Sequence, residues 1–161
     1  MAKLDAEISI RACQPDEAEL VILLWRQAEA TPSLTDTPKE LHCAMTKSGA
    51  LILVAESSGR LVGSVIGGFD GWRGNIYRLV VHPDYRRRGI ARALMTAIQR
   101  DLAARGAKRI TALVEKDHAW AMGFWKSIGY ELDSRMVRFI HNLGLVQHSP
   151  DGGEGQPENR R

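Results

Sequence analysis

The stretch VHPDYRRRGIARAL, Val81–Leu94, requires a strand to end and a helix to begin within a few residues. Ahead of it, IYRLVVH is dense in β-branched and aromatic residues, the composition of a strand. Pro83 cannot donate to a sheet ladder, so the strand stops near His82. Beyond it, Ile90, Ala93, Leu94, Ala97, Ile98 and Leu102 recur at three- and four-residue steps, an amphipathic helix that Gly106 ends. The helix thus starts at Gly89 or Ile90. Its first turn leaves backbone N–H groups without partners and lies at the positive end of the helix dipole. Phosphate binds at such ends. Gly89 lets an anion reach the backbone with no Cβ in the way, and Ala91 is the next smallest choice. Arg86, Arg87, Arg88 and Arg92 add charge and forked donors. Read without a ligand, the same arginines are a solvated basic run.

The rest of the chain supplies a layered α+β domain. EISIRAC alternates as a short strand. Pro15 and the acids after it open a helix in DEAELVILLWRQAEA, with Leu20, Leu23, Leu24 and Ala28 on its apolar face. KELHCAMTKSG is a second, weaker helix. ALILVAESSGRLVGSVIGGFDG holds two strands joined at Ser58-Gly59, a hairpin signal. With IYRLVVH they make three sequential antiparallel strands. RITALVE is a further strand, AWAMGFWKSIGY a last helix with Ala121, Phe124, Trp125 and Ile128 on one face, and SRMVRFIH a final strand. One domain over residues 7–141 and a polar, Gly- and Pro-rich tail over 142–161 are expected.

Charge narrows the partner. The net charge is only +3, but eight Lys or Arg and one acid, Asp101, lie between Arg86 and Arg109. That suits a small anionic partner. Nucleic-acid binding through this segment lacks a zinc-finger spacing or an RNP-type aromatic motif and is not expected. No run approaches the roughly 20 apolar residues of a membrane span, and the N-terminus carries no signal-peptide pattern. Cys13 and Cys43 form no metal-ligand spacing and no disulfide framework. A reduced, cytoplasmic protein without a metal is expected, with both thiols as core filler.

Neither G-x-x-x-x-G-K-[ST] nor G-x-G-x-x-G is present. Arg86-Arg87-Arg88-Gly89-Ile90-Ala91 instead resembles the [Q/R]-x-x-G-x-[G/A] pyrophosphate loop of the GCN5-related N-acetyltransferases, the GNAT family. The L-x-V-x-P-x-Y before it and A-x-x-F-W-x-x-x-G-Y after one further strand extend the resemblance over residues 7–141. The resemblance implies a mixed, mostly antiparallel sheet flanked by helices, in which IYRLVVH and RITALVE run parallel and splay apart. It also implies acetyl-CoA in that opening, the pantetheine arm on the backbone of Leu79, Val80 and Val81. The pyrophosphate would meet the N–H groups of Arg87 to Ala91, with Arg86 and Arg92 beside it. His118 stands where the family usually has an Asn that bonds pantetheine.

The implied activity is acetyl transfer to a primary amine (a small molecule, a peptide N-terminus or a lysine) by direct attack in a ternary complex. The alternative is an acyl-CoA-binding sensor with little or no turnover. A homodimer is compatible with either. The chemistry departs from the family pattern: the usual Tyr is Trp125, whose indole N–H has no useful acidity. The usual carboxylate positions are Asn75 and Leu113. Glu115, Tyr77 and Trp125 are the catalytic candidates, with Asp70, His118 and water as further candidates for the base. Trp25, Asp36, Asp70, Trp72 and Arg73 are those for the acceptor side.

Overall fold

The computed structural model describes residues 7–143. Five strands form one sheet in chain order, β1 (Ile8–Ala12), β2 (Leu51–Ser57), β3 (Arg60–Phe69), β4 (Gly74–Val81) and β5 (Ile110–Ala112). The first three pairings are antiparallel and β4–β5 is parallel. Ser58 and Gly59, both at positive φ, make the β2–β3 turn, the backbone that a two-residue hairpin with right-handed twist requires. The helices are α1 (Ala18–Gln27), α2 (Pro38–Lys47), α3 (Ile90–Ala104) and α4 (Ala119–Ser127). None among the described residues is long and apolar enough to cross a membrane.

Two cores sandwich the sheet. Val21, Leu24 and Trp25 of α1 and Leu41 of α2 pack on Ile52, Val54, Leu61 and Val80. On the opposite side, Ile90, Leu94, Ile98 and Leu102 of α3 pack with Trp125 of α4 on Leu53, Val65 and Ile76. Each such side chain contributes about 1.5–3 kcal/mol by leaving water. Cys13 belongs to the first core; burial pushes its thiol up to about 12, so it is inert filler. Cys43 is only partly buried.

Three expectations are corrected. The first helix begins with a 3-10 turn over Pro15–Glu17, and the α-helix follows at Ala18. Its buried face is Ala18, Val21, Ile22, Leu24 and Trp25, while Leu20 and Leu23 are exposed. A helix apolar almost all round offers more than one stripe, and the sheet selects one. SRMVRFIH forms no ladder, and Met136, Val137, Phe139 and Ile140 are exposed. Strand composition without a neighbouring edge does not make a strand. The expected tail lies, from residue 144 on, outside the described residues.

Helix α3 sits close to the sheet because β3 carries glycine beneath it. A Cβ at Gly63 would meet Ile90 Cγ2 at 2.9 Å and Leu94 Cδ1 at 3.1 Å; one at Gly67 would meet Ile98 Cγ1 at 2.7 Å. Ile98 is fully buried and has nowhere to turn. Gly67→Ala is therefore expected to destabilise the fold by about 1–3 kcal/mol through overpacking. A lowered urea midpoint at unchanged m would show it.

Candidate active site

The parallel pair β4–β5 holds for three residues only, Gly74↔Ile110, Asn75↔Thr111 and Ile76↔Ala112. The last contact is Leu113 N–H to Ile76 O at 3.3 Å. At that point β4 bulges: Ile66 opposes Tyr77 but Ser64 opposes Val80, so β4 holds one extra residue. Arg78 occupies the bulge at φ +50°. From Tyr77 onward β4 has no partner in β5. Leu79 and Val81 turn their side chains into the α3 core, which leaves their backbone on the opening. The Arg86 side chain reaches it: Nε donates to Val81 O at 3.3 Å and Nη2 to Ala28 O at 3.5 Å, and the guanidinium lies 5.4 Å from the Trp120 ring centre.

The turn into α3 follows as its residues demand. His82 N-caps the 3-10 turn Pro83–Tyr85, its Nδ1 accepting from Asp84 N–H, and Arg60 Nη2 lies 2.9 Å from its Nε2. Arg87 (φ +62°) and Gly89 (φ +76°) then reverse the chain. Among the described residues, the N–H groups of Arg87, Arg88, Gly89, Ile90 and Ala91 donate to nothing. A Cβ at Gly89 would have no atom within 4 Å, so the glycine faces open space. This row of donors at a helix N-terminus is an anion cradle. The arginine side chains mostly point elsewhere: Arg88 to Asp84 O and over the Tyr85 ring, Arg92 to Ser127 Oγ. The backbone, with its donors unspent, fits a pyrophosphate.

Beside the end of β3 and the first half of β4 lies a cleft of about 240 Å³, lined by Ser48, Gly49, Ala50, Gly68, Phe69, Asp70, Asn75 and Tyr77. Asp70 is its one formal charge. Its Oδ1 accepts from Arg73 N–H at 2.7 Å and Trp72 N–H at 2.8 Å, and these bonds hold the carboxyl below the usual range. Trp72 and Arg73 stack on each other at the same turn, 3.9 Å apart. The other two expected acceptor residues are placed differently. Trp25 is buried, its indole N–H on Ser64 Oγ at 2.9 Å, because it lies on the sheet-facing stripe of α1. Asp36 takes both Nε and Nη2 of Arg78.

The catalytic candidates also separate. Tyr77 is on the cleft wall, 39% exposed. Asn75 is held by the Thr111 hydroxyl at 2.7 Å, and Leu113 is exposed; β4 and β5 present no carboxylate. Glu115 lies after β5 and accepts from Thr31 N–H at 3.0 Å, while His118 Nε2 stands 2.6 Å from its other oxygen. Burial alone would raise the Glu115 carboxyl, but the bonds from Thr31 and His118 outweigh it and keep it low. Trp125 is in the α3 core, edge-on to Tyr130 at 4.8 Å and to Phe124 at 5.8 Å. Arg78 escaped the sequence reading: a left-handed bulge is announced by glycine, and here the residue is arginine. Trp125→Ala is expected to cost about 3–5 kcal/mol of stability, and Trp125→Tyr much less. Thermal melts of both variants check this.

Residues 18–130 match the Acetyltransferase (GNAT) family. An acetyltransferase of Yersinia pestis (strain Pestoides F) is 40% identical over 130 residues, 81% of this chain and 92% of that protein. One from Pectobacterium atrosepticum is 39% identical over 124 residues, 77% and 88% of the two chains. Among solved structures, the PaiA N-acetyltransferase of Thermoplasma acidophilum in complex with coenzyme A superposes with a TM-score of 0.70 at 16% identity, covering 79% of this chain and 91% of that one. The aminoglycoside acetyltransferase AAC(6')-Iy with a bisubstrate analogue gives 0.68 at 16% identity, over 85% and 99%. The superpositions show a shared fold; the family match over residues 18–130 and the 40% relative show that the chain belongs to the GNAT family of acetyltransferases.

Proposed function

We propose that this chain transfers the acetyl group of acetyl-CoA to a primary amine by direct attack in a ternary complex. One observation carries the proposal: β4 leaves β5 after Ile76, and the exposed backbone edge runs straight into the unpartnered N–H row of Arg87 to Ala91. An extended ligand ending in a pyrophosphate matches that order of groups. Its pantetheine adds to the sheet edge at Leu79 to Val81 as a strand would, and its phosphates take the cradle. Acetyl-CoA supplies an activated thioester. Arg86 releases Val81 O to admit the ligand, and His118, the N-cap of α4, exchanges Glu115 for the pantetheine. That coenzyme A and a bisubstrate analogue occupy structural neighbours supports the donor.

The acceptor enters through the cleft. Asp70, its only charge, attracts a cationic amine; Tyr77 and Asn75 supply O–H and amide groups beside it. A carboxylate held low is a weak base, so Asp70 binds charge and water accepts the ammonium proton. Glu115 is weak for the same reason and is already engaged. No strong acid serves the leaving thiolate, but a thiol has a pKa near 8.5 and leaves tolerably without one. Losing an acid slows such a reaction by about 10²–10⁴-fold, whereas holding both reactants together contributes about 7–11 kcal/mol. Transfer is slow but real on this account. The buried Trp125 and the missing carboxylates favour a second reading, an acyl-CoA sensor, which binds the same ligand and releases no thiol.

CoA and acetyl-CoA are expected to raise the melting temperature, with about 2.7 kcal/mol of stabilisation at a hundredfold excess over Kd. Gly89→Glu should abolish this while the protein stays folded, since the new carboxylate faces the cradle from open space. Arg87→Ala should be mild, the backbone donors being untouched. Thiol release from acetyl-CoA across a panel of amines separates enzyme from sensor. A normal thermal shift in Gly89→Glu would remove the loop from the site.

A further inference from the structure

Arg78 combines a left-handed backbone with a heavily bonded side chain, just where β4 leaves β5. Its backbone sits in the left-handed region at φ +50°, where a glycine would be at ease. An L side chain persists there only if the surroundings hold it. They do so from three sides. Nε and Nη2 grip both oxygens of Asp36, Nη1 donates to Thr31 O at 2.8 Å, and the guanidinium lies 5.2 Å from the Trp25 ring centre. Asp36 and Thr31 belong to the segment joining α1 to α2. That segment is pinned a second time, by Thr31 N–H on Glu115 beyond β5. Arg78 therefore ties the bulge to a loop that spans from β4 to the far side of the opening. The bulge is also where β4 loses β5, since Ile76↔Ala112 is the last pair.

A bulge bends a strand and re-aims the groups after it. Here the groups after it are the backbone edge of Leu79 to Val81. We infer that Arg78 is a positioning residue for acetyl transfer: its side chain fixes the bulge against Asp36 and Thr31 and so sets the direction in which that edge meets the thioester. This rests on the acetyl-transfer function proposed above. Glycine would satisfy the backbone and provide no anchor, which makes Arg78→Gly the informative variant.

The test compares wild type, Arg78→Gly, Arg78→Lys and Asp36→Asn in steady-state thiol release with an accepted amine. Amide hydrogen exchange over residues 77–81 is followed in the same proteins. Arg78→Gly should lower kcat 10- to 100-fold while KM for acetyl-CoA moves less than threefold, because the phosphate cradle is intact. With CoA bound, exchange over residues 77–81 should rise at least fivefold relative to CoA-bound wild type. Arg78→Lys should recover part of kcat, and Asp36→Asn, which leaves the backbone of residue 78 unchanged, should lower it 3- to 10-fold. If Arg78→Gly does not fold, Asp36→Asn decides. Wild-type kcat and exchange in either folded variant overturn the inference. If wild type binds CoA but transfers to no amine, acetyl transfer fails, and the exchange comparison with CoA bound still decides whether Arg78 fixes the edge.

Discussion

Three residue pairs join β4 to β5, and the rest of the site exists because there are not more. A longer parallel ladder would use the main-chain groups of Leu79 and Val81 inside the sheet. The bulge at Arg78 ends the pairing by turning β4 out of register with its neighbours. The cost is an exposed sheet edge, normally a liability. It is tolerable here because Arg86 bonds the Val81 carbonyl and stacks with Trp120, and the loop between α1 and α2 is bound to both Arg78 and Glu115.

The same economy governs charge. Four arginines cluster at the head of α3, yet three of them bond or stack on neighbouring groups. What they leave is a backbone concavity in a positive field. At the cleft the one charged lining residue is Asp70, already bonded twice by main-chain N–H groups, with Arg73 at the same turn and Arg105 on the Gly49 carbonyl. The unpartnered N–H groups at the head of α3 and the carboxylate of Asp70 are thus set apart along β4, so that opposite polarities face outward at different places.

Much of this was legible in the sequence, for physical reasons that can be named. Pro83, Gly89 and the spacing from Ile90 to Leu102 each admit one local structure, so strand end, loop and helix followed. Ser58-Gly59 did the same for the hairpin. Where a residue's chemistry did not decide its place, the sequence was silent. Trp25 could serve a pocket or a core, and only its register on α1 against Ser64 chose the core. SRMVRFIH carries strand propensity, but propensity needs a partner edge. Arg78 hid a bulge because arginine is the wrong residue for that backbone, and its stabilising contacts, Asp36 and Thr31, are more than forty residues away. Asp70 keeps its turn by accepting from the main-chain N–H groups of Trp72 and Arg73, a bond pattern that an Asp two and three residues ahead of them makes legible.

Gly63 has a reach that its position in the middle of the sheet does not suggest. It pairs with Val81 at the end of β4 and lies under Ile90, the first residue of α3. A single methyl group at 63 would press on Ile90 next to Gly89, on Leu94 one turn further along α3, and on Ala55 of the neighbouring strand. Bulk added at this position would therefore be felt at the start of α3 as well as in the sheet. The thinness of the sheet at one glycine thus sets how closely the turn at Gly89 and the helix after it can lie against the strands.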